Sequence, residues 1–171
     1  MSPTTMPTDP KSDPAKLLDR LITEELPSKR GLEAWTSFLQ AHASLMRQLE
    51  ADLEKHTGLA LADFDVLAQL ANAGGELRMT ELANRALISR SGMTRRINRL
   101  VDEGLVRRFA AQKDARGVCV VLTGEGMARL SDTAPVHLRE ISKLFVDKLD
   151  DRELEVLARA LTKVTLNCSF G

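Results

Sequence analysis

The stretch SRSGMTRRINRLVDEGLVRRFAAQKDARGVCVVLT, residues 89–123, decides the fold. Its first half has the marks of a helix. Ser89 or Ser91 is placed to cap it, because a serine oxygen accepts from the free N–H groups of a first turn. Ile97, Leu100 and Val101 recur at helical spacing, so one face packs inward. Gly104 stands where a glycine closes a helix in the left-handed conformation. Two extended runs follow, joined by a charged tip that holds Lys113, Asp114 and Arg116. The second run, Val118-Cys119-Val120-Val121-Leu122, is the most β-branched passage of an otherwise helical chain.

The flanks extend the pattern outward. Residues 79–87 form a short helix with Thr80 as its expected N-cap, and Ile88-Ser89 makes the turn into the next helix. Two short helices joined by a tight turn, then a hairpin, predict a winged helix-turn-helix. Upstream, residues 61–73 turn Phe64, Leu67, Ala68 and Leu70 inward, and Gly74-Gly75 ends that helix. Residues 31–55 form a long helix, with Leu32, Trp35, Phe38, Leu39, His42, Leu45, Met46, Leu49 and Leu53 at steps of three and four. A shorter helix at 15–26 ends at Pro27. Downstream, Thr123 caps a long helix reaching residue 149, which Pro135 should kink. A last helix starts at Asp150 or Asp151 and carries Leu154, Leu157, Leu161 and Val164 on one face. The fold class is mainly α. The divisions are a disordered tail at 1–14, helices at 15–58, the winged region at 59–123 and closing helices at 124–171. Four of the six prolines lie in the tail.

The whole chain of 171 residues has a formal net charge of zero, which hides an asymmetry. Residues 78–116 hold ten basic and four acidic side chains, an excess of six positive charges in an acidic frame. A basic middle is the footprint of a nucleic-acid surface. Hydrophobic residues make up 43% and aromatics only 4%, without tyrosine, which suits a Leu/Ala-rich helical core. Cys119 and Cys168 are far apart, so neither a disulfide framework nor a metal-ligand spacing exists. No apolar run approaches a membrane span and the N-terminus has no secretory h-region, so a soluble, cytoplasmic protein is expected. No nucleophile–base pairing, phosphate loop or carboxylate pair is visible, so neither enzyme activity nor a cofactor is expected.

The chemistry therefore points to double-stranded DNA. A helix fits the major groove, and its N-terminal end favours anions. Ser89, Ser91, Thr94 and Arg95 fall at that end, where Arg95 has the geometry for a guanine edge. Arg90, Arg96 and Arg99 suit phosphates. In the wing, Arg116 suits a narrow minor groove, with Lys113 beside it and Asp114 orienting the guanidinium.

Residues 59–126, LALADFDVLAQLANAGGELRMTELANRALISRSGMTRRINRLVDEGLVRRFAAQKDARGVCVVLTGEG, resemble the MarR family of bacterial regulators. The motifs are Thr80-Glu81-Leu82-Ala83, Ser91 to Arg96, Gly104-Leu105-Val106 with Arg108, Asp114 with Arg116, and Val121-Leu122-Thr123 with Gly126. Ala115 stands where the family often has a second wing arginine, so only Arg116 is carried over. The resemblance implies a homodimer whose terminal helices intertwine into a dimerisation lobe. It implies repression from a pseudo-palindromic operator and release by a small aromatic acid or phenol. The helix at 15–26 is not universal in the family.

Candidate walls for that effector are Trp35, Phe38, His42, Met46 and Phe64. The same side chains also suit plain core or dimer contacts, and His42 a satisfied structural histidine. Redox sensing is disfavoured, since the first helix holds no cysteine. A metal sensor is disfavoured because His42, His56 and His137 have no chelating spacing with the cysteines. The alternative of another class is a winged-helix protein-interaction module that does not read DNA.

Overall fold

The computed structural model describes residues 13–26, 28–86, 88–110 and 117–167. The chain forms two compact units, residues 1–46 and residues 47–171. The first holds α1 (Pro14–Glu25) and the larger part of α2 (Lys29–Thr57). Pro14 was expected in the tail but opens α1, where a missing N–H costs nothing. The tail at 1–12 lies outside the described residues. Leu17, Leu18 and Leu21 of α1 remain exposed, as do Trp35, Phe38, Leu39 and Met46 of α2.

The second unit contains α3 (Leu61–Asn72), β1 (Glu76–Arg78), α4 (Met79–Arg85) and α5 (Arg90–Asp102). It continues through β2 (Val106–Ala110), β3 (Val118–Leu122), α6 (Gly124–Leu144) and α7 (Asp151–Asn167). The hairpin is larger than expected. Its strands join β1 in an antiparallel sheet of order β1-β3-β2. Val120 pairs with Leu77 on one side and Arg108 on the other, and is wholly buried. Its neighbours in the core include Leu67 and Leu70 of α3, Leu82 of α4, and Met93, Ile97 and Leu100 of α5.

Local chemistry sets the ends of α5. Ser89 is the cap: its Oγ accepts from the Gly92 N–H at 3.2 Å. At the other end Gly104 has φ +76°, a region open to glycine. The Leu105 N–H then reaches back to the Leu100 carbonyl at 2.9 Å, and the Gly104 N–H to that of Val101 at 3.0 Å. Thr123 caps α6 by accepting from the Gly126 N–H at 3.0 Å. Its hydroxyl also contacts the Gly104 and Leu105 carbonyls at 2.7 and 3.0 Å. Arg129 of α6 donates to the Thr57 carbonyl at 2.6 Å, placing a cation at the C-terminal end of α2.

Three expectations need correction. Thr80 does not cap α4; Arg78 stands at the N-cap, because β1 runs into the helix in extended conformation. The α4 helix ends at Arg85, before Leu87, which lies outside the described residues. The α6 helix runs through Pro135 and stops at Leu144. Phe145 there leaves helical geometry (φ −130°, ψ −59°), and Val146–Lys148 forms a 3-10 turn. Asp150 and Glu153 then open α7 with reciprocal side-chain bonds to each other's N–H groups, at 2.8 and 2.9 Å.

The α3 and α6 helices meet at Phe64 and His137, whose ring centroids lie 4.6 Å apart. Burial lowers the His137 pKa below the ordinary value of 6.5, against an opposing pull from Asp65.

Two outcomes follow from this packing. A Cβ on Gly126 would fall 2.0 Å from the Leu105 carbonyl oxygen. Gly126→Ala should therefore destabilise the protein by roughly 1–3 kcal/mol, read by urea denaturation. For His137, the unfolded chain takes up a proton at higher pH than the folded one. Acidification below 6.5 thus favours unfolding, until the lowered folded-state value is passed. Melting temperatures followed from about pH 7 to about pH 5 should fall less steeply in His137→Gln than in the parent.

Candidate nucleic-acid interface

The N-terminal half of α5 divides its side chains by helical position. Met93 and Ile97 are fully buried, whereas Arg90, Ser91, Thr94 and Arg95 are exposed. Thr94 donates to the Arg90 carbonyl at 2.9 Å, and the Ser89 and Ser91 hydroxyls lie 3.4 Å apart. Arg95 has no hydrogen-bond partner among the described residues, so its guanidinium faces solvent with all its donors open. A cleft of about 330 Å³ opens beside this end, lined by Arg78, Thr80, Arg90, Thr94 and Val118. It gathers two arginines and two threonines from β1, α4 and α5, donors suited to phosphate oxygens. Arg78 and Thr80 were not expected there, because the three-residue strand that carries Arg78 and leads into α4, where Thr80 lies, has no periodicity of its own.

Arg96 and Arg99, expected on phosphates, are turned to another partner. Arg96 Nη1 donates to Asp63 Oδ1 at 2.7 Å, and Arg99 Nη2 donates to Asp63 Oδ2. The Asp63 side chain is only 5% exposed, that of Arg96 24% and that of Arg99 52%. A buried carboxylate needs such donors. Asp63 was missed because the sequence of α3 offers both Asp63 and Asp65, and nothing local says which turns inward.

A second link joins α5 to the wing. Arg108 of β2 donates to Asn98 Oδ1 at 2.6 Å. The pairing of Ala110 with Val118 closes the described part of the hairpin. Lys113, Asp114 and Arg116 lie outside the described residues. Cys119 is buried, and its thiol pKa is pushed up by burial and by Glu76, which disfavours a reactive thiolate. Cys168 lies outside the described residues. No group of three or more metal-ligating side chains occurs among the described residues. Nor is any helix there long and apolar enough to cross a membrane.

The effector candidates fall in both units. Trp35, Phe38 and His42 stack along α2, with successive ring centroids 6.2 Å apart, and Met46 continues that helix as an exposed side chain. Phe64 belongs to the other unit and is buried against His137. His137 Nδ1 and, one helical turn before it, Thr133 Oγ1 are buried without a hydrogen-bond partner among the described residues. No motif marked this pair in the sequence. Only the i, i+4 spacing on α6 hinted at a shared face.

Comparison with known proteins places this architecture. The MarR family profile matches residues 57–117. An HTH-type transcriptional regulator of Bacillus cereus is 32% identical over 117 residues, covering 68% of this chain and 77% of its own. The MarR family regulator Sco3205 of Streptomyces coelicolor, solved in complex with DNA, superposes with a TM-score of 0.78 at 30% identity. That match covers 83% of this chain and 89% of Sco3205. The organohalide-sensing regulator RdhR-CbdbA1625, solved with 2,4-dichlorophenol, shares the fold with a TM-score of 0.71 at 19% identity, over 83% of both chains. Sequence and fold both agree with these regulators, and the chain belongs to the MarR family of transcriptional regulators.

Proposed function

We propose that the chain is a cytoplasmic repressor that reads a pseudo-palindromic operator as a homodimer and leaves it when a small phenol or aromatic acid binds. The observation that carries this is the exposed N-terminal end of α5. Ser89 caps it, while Arg90, Ser91, Thr94 and Arg95 stand exposed beside a cleft rich in arginine and threonine. Ser91, Thr94 and Arg95 would face base edges; Arg90, Arg78 and Thr80 would face phosphates. Arg116, with Lys113 and Asp114, would extend the contact into the minor groove.

A second copy would cover the apolar side chains that a single chain leaves exposed, Leu18 and Trp35 in one unit, Val164 and Leu166 in the other. Two reading helices would then address half-sites one helical turn apart. For the effector, the support is the Phe64–His137 pair with the unpartnered His137 Nδ1 and Thr133 Oγ1. Buried polar atoms ordinarily have partners, and a phenol offers a hydroxyl for them and a ring for Phe64. Trp35, Phe38, His42 and Met46 then belong to the dimer face.

The test is fluorescence anisotropy of labelled duplex from the DNA flanking the protein's own gene, against random duplex, at two salt concentrations. Tight binding that prefers the native duplex supports the reading, with a log–log salt slope of roughly −7 if about eight phosphates are neutralised. Absence of binding to either duplex overturns it in favour of a protein-interaction module. Arg95→Ala should cost about 1–3 kcal/mol and relax sequence preference; a uniform loss on every duplex would make Arg95 a phosphate contact. Arg116→Ala should weaken operator binding by a similar amount, about 1–3 kcal/mol, with the melting temperature unchanged. Equal affinity at matched salt would remove the wing contact from this account.

A further inference from the structure

We infer that Asp63 is a specificity-determining residue, which withholds two of the four arginines of the recognition helix from the DNA backbone. The inference rests on the DNA-reading function above. The α5 helix carries Arg90, Arg95, Arg96 and Arg99 in thirteen residues. A helix using every one of them would hold any duplex tightly, because phosphate attraction carries no sequence information.

The structure divides these cations into two pairs. Arg90 and Arg95 are exposed, with no acidic partner among the described residues. Arg96 and Arg99 each take one oxygen of the same carboxylate. Asp63 and Thr133 are the buried polar side chains among the described residues, so the Asp63 charge is desolvated and depends on those two donors. A guanidinium that left Asp63 for a phosphate would strand that charge. Both oxygens are already engaged, each arginine has its own, and Arg96 Nε is itself buried without a partner among the described residues. The clamp therefore removes positive charge from the groove-facing surface and fixes the rotation of α5 about its axis. Ser91, Thr94 and Arg95 remain to discriminate between sequences.

The test compares the full-length protein with Asp63→Asn, a substitution of nearly the same shape that removes the charge. The first readout is the salt concentration that elutes each protein from immobilised heparin, a polyanion without base sequence. Asp63→Asn should elute later, and elution at the parent's salt would overturn the inference. The second readout is duplex binding. Affinity for random duplex should rise, with the log–log salt slope steepened by about 0.9 for each arginine released. The ratio of operator to random affinity should fall about tenfold, the worth of one base-edge contact misaligned once Asp63 no longer fixes the orientation of α5. An unchanged ratio in a folded variant would overturn the specificity role.

Arg99→Gln covers the case in which Asp63→Asn does not fold. Loss of a withheld arginine leaves the salt slope on random duplex unchanged. A slope shallower by about 0.9 per protomer would show Arg99 on phosphate and overturn the inference. Failure of the DNA-reading function looks different. The parent would not discriminate between duplexes, yet Asp63→Asn would still elute later from heparin.

Discussion

A threonine hydroxyl holds the working parts of the second unit together. Thr123 Oγ1 caps α6 and also meets the carbonyls of Gly104 and Leu105, where α5 ends and β2 begins. The end of α5, the start of β2 and the start of α6 thus share one polar atom. Burial around it is tight enough that Gly126 has no room for a side chain. The α5 helix and β2 are linked again by Arg108 and Asn98. A rigid presentation of side chains follows from these short-range bonds, since each fixes a backbone direction rather than adding area.

The charge distribution is organised on the same scale. A chain of zero net charge gathers a surplus of six in residues 78–116, yet part of it has internal partners. Arg96 and Arg99 face a buried carboxylate, and Arg108 serves Asn98. What reaches solvent at the tip of α5 is a smaller, better defined set. Counting basic residues along the sequence overestimates the surface that a polyanion meets, because counting cannot tell a cation with an internal partner from one without.

Features with local causes were legible in the sequence. Ser89, Gly104 and Thr123 were identifiable because capping and left-handed closure depend on a few neighbouring residues. The inward positions Ile97 and Leu100 followed from helical spacing. Features with distant causes were not. The strand β1 is three residues long and exists through its pairing with β3, more than forty positions later. Thr80 lost its capping role to that same strand. Asp63 turns inward because Arg96 and Arg99, 33 and 36 residues on, meet it there. His137 and Phe64 are paired by the packing of α3 on α6, which no single-helix pattern encodes.

The separation of holding residues from facing residues has an evolutionary consequence. Met93, Ile97 and Leu100 anchor α5 from below, whereas Ser91, Thr94 and Arg95 are exposed, and the bonds that Ser91 and Thr94 make stay within the N-terminal end of α5. Substitutions at exposed positions of this kind usually change stability by no more than about 0.5 kcal/mol. Under the proposed function, a duplicated copy of the gene would be free to explore new operators at those three positions without compensating changes in its core. The buried side of α5 would then be a fixed handle and its exposed end an exchangeable key.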